Sequence, residues 1–125
     1  MLTISPGWTI DVDRGPDWLF VKVHPPKGEP VEIPPLADSV WQLLEQSLTY
    51  RVVLEMDEIP LLHSYLLGQL ILLSKRVHLH DGMLRLVGLS AQNEQVIKTC
   101  RLDGGLPCYD DRDSAIMGYR PPQPR

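Results

Sequence analysis

The first part of the chain contains two short stretches with the pattern of strands. Residues 8–13 alternate apolar and polar residues, the two-residue period of a half-buried strand, and residues 18–23 are predicted to be a second strand. Residues 14–17 between them contain a Gly-Pro pair typical of a turn, so the two stretches predict a β-hairpin. Residues 24–35 hold five prolines and a glycine, which predicts a connector because proline lacks the amide that strands and helices use.

From Leu36 the apolar period changes from two residues to that of a helix. The predicted stripe consists of Ala37, Val40, Trp41, Leu44 and Leu48. Residues 51–56 then predict a mostly buried strand, and residues 64–77 a second helix. The buried arc of that helix is predicted as Leu66, Leu67, Leu70, Ile71, Leu73 and Val77, with Tyr65, Gln69, Leu72 and Arg76 opposite.

The remaining elements follow the same alternation. Residues 83–87 predict a strand, Ser90 is a suitable N-cap for the helix that carries Val96, Ile97 and Cys100, and residues 106–109 predict a short strand. Asp110 and Asp111 then precede a short helix to about Met117. Helices alternating with short buried strands predict one α/β domain over residues 1–117, whose parallel strand pairs are joined by crossover helices. We expect residues 118–125 to form a disordered tail.

Charge and composition restrict the partners that this domain could bind. The 125 residues carry a net charge of −4 and no cationic cluster, which argues against nucleic acid and anionic membranes as partners. The most apolar run, residues 61–73, is too short to span a bilayer. We see no secretory signal and expect Cys100 and Cys108 to be reduced thiols in the cytoplasm, a disulfide between them being the alternative.

Two groups of residues invite a catalytic or metal-binding interpretation. His63 and Ser64 pair a base with a nucleophile, but adjacent side chains at a helix start diverge and no Gly-x-Ser-x-Gly segment surrounds them. We therefore predict that Ser64 caps the helix. His78, His80 and Asp81 are predicted to lie in a polar loop, since a zinc site needs three or four convergent ligands. We expect no metal, no cofactor and no enzymatic activity.

The outer face of the helix over residues 64–77 is the more informative feature. Tyr65 and Leu72 are predicted to point away from the sheet, beside Gln69 and Arg76. Tyrosine and arginine together with an exposed leucine are typical of protein interfaces. This face is therefore our predicted binding surface.

The order and spacing of these elements resemble a known family. Residues 52–68, which run from a buried strand through a short loop to His63, Ser64 and a helix, are similar to the centre of a STAS domain, the fold of bacterial anti-sigma factor antagonists. Residues 82–90 resemble the family's glycine, strand and Gly-Leu-Ser segment, and residues 102–115 its closing strand and capped helix. The resemblance implies a STAS fold with a mixed central sheet, crossover helices and a single domain.

The resemblance also implies a function. Ser64 aligns with the serine that is phosphorylated in the family. The family's partner-switching role in transcription or signalling therefore implies that a GHKL-type kinase, which is also the anti-sigma factor, phosphorylates Ser64. The implied partner-binding residues are His63, Tyr65, Leu66, Gln69, Leu72 and Arg76.

The chain departs from the family pattern at several positions. The family has Asp, a second Ser or Thr, and Gly where this chain has His63, Tyr65 and Leu66, and the expected Gly-x-x-Asp pattern is missing around residues 28–32. Three alternatives therefore stay open. They are an unphosphorylated scaffold or assembly subunit with homotypic contacts such as a homodimer, a small-ligand carrier, and a small enzyme using His63 and Ser64.

Overall fold

The hydrophobic periods of the sequence produce a mixed sheet with crossover helices. The computed structural model describes residues 2–27, 34–102 and 104–118, and within these ranges it contains six strands and four helices. The strands are β1 (Leu2–Ser5), β2 (Trp8–Arg14), β3 (Leu19–His24), β4 (Arg51–Glu55), β5 (Met83–Val87) and β6 (Cys108–Tyr109). The helices are α1 (Leu36–Ser47), α2 (Ser64–Leu79), α3 (Ala91–Thr99) and α4 (Arg112–Met117).

The strands lie side by side in chain order, from β1 to β6. Antiparallel pairing joins β1, β2 and β3, and the predicted hairpin is confirmed by pairs such as Ile10 with Val23. Parallel pairing joins β3 through β6, so the α1, α2 and α3 segments are crossovers, as predicted. The strand β1 was not predicted, because its apolar and polar alternation covers only four residues at the edge of the sheet, too short a stretch to identify a strand.

The two faces of the sheet are covered differently. One face packs against α1, α2 and α3 in a large apolar core, which includes Val21, Leu54 and Leu86 from neighbouring strands. The alternate residues point to the other face, where Ala115 of α4 closes a smaller cluster. That smaller cluster consists of Trp18, Phe20, Val53, Val87 and Ala115, with Tyr109 at its margin.

The end of α1 differs from the predicted apolar stripe. The helix ends at Ser47, and Leu48 adopts a left-handed backbone with φ 52° and is 81% exposed. The prediction that Leu48 belongs to the buried stripe is therefore wrong. The reason is that the chain must leave the helix there and turn into β4, which points the Leu48 side chain away from the core.

The end of α2 also differs from the prediction. The helix continues to Leu79, so His78 lies in its last turn. Of the three residues predicted to lie in a polar loop, only His80 and Asp81 lie after the end of the helix. His78 Nδ1 lies 2.7 Å from the carbonyl oxygen of Ser74 within the helix. Ile71, predicted to be buried, is only half-buried. Ser74 is buried instead, because its hydroxyl donates to the Gly105 carbonyl at 2.8 Å.

The N-caps of α3 and α4 agree with the predictions. Ser90 accepts a hydrogen bond from the Asn93 amide, and Asp111 accepts one from the Ser114 amide at 2.8 Å. The Ser114 N–H lowers the pKa of Asp111, because it stabilises the ionised carboxylate. Gly118 ends α4, and the rest of the predicted disordered tail lies outside the described residues.

Candidate docking site at the start of helix α2

The site lies where the chain leaves β4 and enters α2. Residues 56–63 form this connection, called the β4–α2 loop below. The N-cap is His63, in an extended conformation and without a side-chain capping bond. Ser64 is the first helical residue, so the prediction that Ser64 caps the helix is wrong. Its side chain is exposed at the positive end of a sixteen-residue helix.

Aromatic rings flank Ser64 on both sides in sequence. The rings of His63 and Tyr65 stack with their centroids 5.4 Å apart and an interplanar angle of 17°. Pro60 and Leu61 are exposed in the preceding loop, and Leu61 keeps 39% of its surface accessible. The helix start therefore presents one hydroxyl beside a stacked pair of rings and an apolar loop, a composition suited to protein contacts.

The structure places the other predicted site residues in three different surroundings. Leu66 is only 2% exposed and belongs to the core, so its side chain is absent from the surface. Leu72 is 52% exposed on the outer side of α2, as predicted. Gln69 and Arg76 both reach a residue at the start of α1, although Arg76 remains exposed. Gln69 Oε1 accepts from the Ala37 amide at 3.0 Å, and Arg76 donates to Asp38 at 2.7 Å.

The contact made by Gln69 has a clear structural reason. Helix α1 begins after Pro35 and has no side-chain cap from its own segment. The Gln69 carbonyl satisfies one of the free amides in the first turn of α1. Gln69 therefore joins two parallel crossover helices, a role that its place on the outer stripe of α2 did not indicate.

The β4–α2 loop is held by a residue that the sequence analysis did not identify. Asn93, in the first turn of α3, is fully buried. Its Oδ1 accepts from the Leu62 amide at 2.8 Å, and its Nδ2 donates to the Ile59 carbonyl at 3.1 Å. Its partners are backbone atoms more than thirty positions away, so no local motif indicates the contact. The only signal is an asparagine placed three residues after a capping serine.

A charged cluster holds the other side of the loop. His24 on β3 lies between two carboxylates, with Nδ1 2.9 Å from Glu58 and Nε2 2.7 Å from Asp11. Lys22 on the same strand lies 3.2 Å from Asp57 and 3.5 Å from Glu58. The hydrogen bond to Glu58, and next that to Asp11, raises the pKa of His24, and His24 in turn lowers the pKa of both acids.

The cavity beside the site is small. It measures about 60 Å³ and is lined by Trp8, Pro25, Pro26, Ile59, Pro60, Leu61, His63, Tyr65 and Leu66. A pocket for a drug-sized ligand usually has a volume of about 300 Å³ or more, so this space suits one apolar side chain better than a metabolite. Among the described residues, no three His, Cys, Asp or Glu side chains are grouped so as to hold a metal ion. Nor does any helix in the described ranges have the length and apolarity to cross a membrane.

The fold and the site define a small α/β domain whose exposed serine begins the second crossover helix. Residues 32–115 match the STAS domain family, which is more than half of the chain. The chain belongs to the STAS domain family, and the predicted STAS fold is confirmed.

Solved structures support the same architecture. An anti-sigma factor antagonist from Mycobacterium paratuberculosis superposes with a TM-score of 0.72 at 20% identity, covering 95% of this chain and 100% of that one. A Thermotoga maritima protein described as a candidate anti-sigma factor antagonist superposes with a TM-score of 0.68 at 18% identity, covering 90% of this chain and 95% of that one. A STAS domain protein from Planctomyces limnophilus superposes with a TM-score of 0.59 at 17% identity, covering 87% of this chain and 96% of that one. No curated protein sequence gives a significant match.

Proposed function

We propose that this chain is a protein-binding module of the anti-sigma factor antagonist type, which docks its partner on the start of α2. The observation that carries the proposal is the position of Ser64. Its side chain is exposed at the first position of α2, beside the stacked rings of His63 and Tyr65. Leu61 and Leu72 extend this surface with exposed apolar area.

The proposed switch is phosphorylation of Ser64. A phosphate adds about −1.5 to −2 charge at neutral pH. The free amides and the dipole at the start of α2 would stabilise that charge on the protein itself. The partner surface that fits the neutral serine and its rings would instead meet a dianion, and binding would weaken. The proposed partner is a GHKL-type serine kinase that also acts as an anti-sigma factor.

The residues around Ser64 give this site its own specificity. His63, Tyr65 and Leu66 replace the small and acidic residues of the family pattern. Because Leu66 is buried, the changed surface consists of the two stacked rings. We propose that the partner has a concave apolar surface that receives these rings. A partner of the family pattern would instead need a cationic group for the aspartate that His63 replaces. We also propose a cytoplasmic location, since Cys100 and Cys108 are free thiols, and a bacterial source, since the similar solved structures come from bacteria.

The test is affinity capture from native lysate with four baits. They are the wild type, Ser64→Asp, Tyr65→Ala and Gln42→Glu, the last adding one negative charge on an exposed residue of α1. We expect the wild type and Gln42→Glu to recover the same kinase-like regulator. Ser64→Asp is expected to recover at least about tenfold less, and Tyr65→Ala about fivefold less, which corresponds to ~1 kcal/mol.

Two results would contradict the proposal. If Ser64→Asp and Tyr65→Ala bind the partner as tightly as the wild type, the start of α2 is not the docking surface. If Tyr65→Ala weakens binding but Ser64→Asp does not, and mass spectrometry finds no phosphate on Ser64 in cells, the module binds as an unphosphorylated scaffold.

A further inference from the structure

The side chain of Asn93 occupies an unusual place between two backbone groups of the β4–α2 loop. The Ile59 carbonyl and the Leu62 amide are three residues apart, the separation at which the two groups bond directly in a β-turn. Pro60 follows Ile59, at the position where proline favours such a turn. The carboxamide of Asn93 stands between these groups and bonds both of them, at 3.1 Å and 2.8 Å.

One further contact fixes Asn93 itself. Its backbone amide donates to the hydroxyl of Ser90 at 3.1 Å, and Ser90 is the N-cap of α3. The first turn of α3 is thus locked by the same residue that reaches into the loop. Asn93 therefore connects the start of α3 to the segment that ends two residues before Ser64.

The rest of the loop depends on other contacts. The Met56 amide donates to the Val87 carbonyl at 2.9 Å, and Glu58 contacts His24. Both contacts hold the first half of the loop. In the second half, Ile59 and Leu62 bury their side chains while Pro60 and Leu61 remain exposed between them. Among the described residues, the Ile59 amide donates to the Met56 carbonyl at 3.1 Å, whereas the Ile59 carbonyl and the Leu62 amide both bond the side chain of Asn93.

We propose that Asn93 is a positioning residue for the docking site, holding the second half of the β4–α2 loop so that His63, Ser64 and Tyr65 start α2 at one fixed place. The inference rests on the proposed function for the meaning of that surface. A fixed site loses less conformational entropy when a partner binds, so its affinity is higher. Loss of the Asn93 carboxamide releases the loop without altering any exposed side chain.

Three variants separate positioning from general stability. Asn93→Leu fills the same space and removes both bonds. Asn93→Asp keeps an acceptor for the Leu62 amide but, when ionised, cannot donate to the Ile59 carbonyl. Burial raises the pKa of the introduced carboxyl, and once protonated it can again accept from Leu62 and donate to Ile59. Ile97→Ala is the control, because it damages the core from the same helix and leaves the loop contacts in place.

The first readout is hydrogen exchange of the Leu62 amide by NMR, which needs no partner. In Asn93→Leu at pH 7 we expect this amide to exchange at least about tenfold faster than in Ile97→Ala, relative to each variant's slowest core amides. In Asn93→Asp the Leu62 amide should exchange faster than in the wild type at the same pH. This difference in exchange rate should disappear as the pH falls through the pKa of the introduced carboxyl. Exchange at Leu62 that follows global stability in all three variants, without this pH rescue, would overturn the inference.

The second readout is affinity for the partner recovered by the wild-type bait. Asn93→Leu is expected to lower that affinity about tenfold, and Ile97→Ala to leave it within about twofold when both are folded. An equal loss in both variants would overturn the positioning role. A failure of the proposed function would look different, since Tyr65→Ala and Ser64→Asp would then bind normally while the Leu62 exchange still reported a released loop.

Discussion

At the residue scale, two glycines, one within α2 and one just after it, differ in the space around them. A Cβ added to Gly82 would lie 2.0 Å from the carbonyl oxygen of Tyr50. The neighbouring Met83 amide donates to that same oxygen at 2.9 Å. Gly82 therefore allows the chain to cross the start of β4 at close range before it enters β5. Gly68, in the middle of α2, has no described atom beyond its chain neighbours and the adjacent helix backbone within 4 Å of the place where a Cβ would be.

This contrast predicts opposite effects of the same substitution. Gly82→Ala should lower the free energy of unfolding by about 2 kcal/mol or more, because the backbone of Tyr50 must move. Gly68→Ala should raise it by about 0.5–1 kcal/mol, because alanine restricts the unfolded chain and favours the helix. Urea unfolding followed by circular dichroism measures both. A stabilising Gly82→Ala, or a Gly68→Ala that destabilises, would contradict the geometry described here.

At the element scale, the β4–α2 loop is joined to the β2–β3 hairpin by charge. His24 is the centre of this contact, and the groups that face it are Asp11 from β2 and Glu58 from the loop, with Lys22 and Asp57 beside them. Protonated His24 bridges two carboxylates that would otherwise face each other across the junction. The contact is therefore expected to depend on pH.

The direction of that dependence follows from the pKa of His24, which is raised in the folded protein. The stabilisation is complete below the unfolded pKa of about 6.5 and is lost as the pH rises through the raised folded value. The free energy of unfolding should therefore fall over this range in the wild type. In His24→Gln the fall should be smaller, since the substituted amide does not titrate. Urea unfolding at half-unit steps from pH 5.5 to 8.5 gives the two profiles.

The acids of the cluster behave in the opposite sense and serve as an internal check. The pKa values of Asp11 and Glu58 are lowered, so their contribution is present above their unfolded values of about 4 and is lost in acid. Glu58→Gln should reduce both the acid loss, measured by extending the urea series down to about pH 3, and the loss at higher pH. Parallel profiles for the wild type, His24→Gln and Glu58→Gln would show that the bridge does not form in solution.

At the scale of the whole molecule, the sheet has a crowded face and a sparsely covered one. On the sparse face, Arg112 of α4 bonds Glu55 of β4 and lies 2.8 Å from Asp13 of β2. Its guanidinium also lies over the ring of Phe20, 4.6 Å from the centroid. These contacts join the last helix to three different strands, and the bond to Glu55 raises the pKa of Arg112.

Loss of Arg112 should therefore release α4 before the rest of the fold. Arg112→Gln is expected to lower the free energy of unfolding by about 1 kcal/mol, since the side chain is partly exposed and its ion pairs are screened. Hydrogen exchange should rise mainly in residues 112–117. Lys75→Gln, which removes an exposed cation from α2, is the matched control and should leave that exchange unchanged. Equal exchange in both variants would show that α4 does not depend on Arg112.

Much of the fold could be predicted because its signals are local. The alternation in β2, the apolar run of β3, the apolar stripes of α1 and α2, and the caps at Ser90 and Asp111 each arise within one segment of chain. The failures lie at segment ends. Leu48 leaves the α1 stripe and Ser64 begins α2 without capping it, because the path of the chain between elements decides where a helix starts or stops.

The sequence by itself determined the order of the elements after β1, the mixed sheet and the position of Ser64 at the start of a helix, because periodicity and capping act over a few residues. Only the tertiary structure decided what surrounds that serine. It placed Gln69 and Arg76 against α1, joined His24 to Glu58 and inserted Asn93 into the loop. Their partners lie many positions away in sequence. Such contacts depend on how whole elements pack, and no short-range pattern encodes that arrangement.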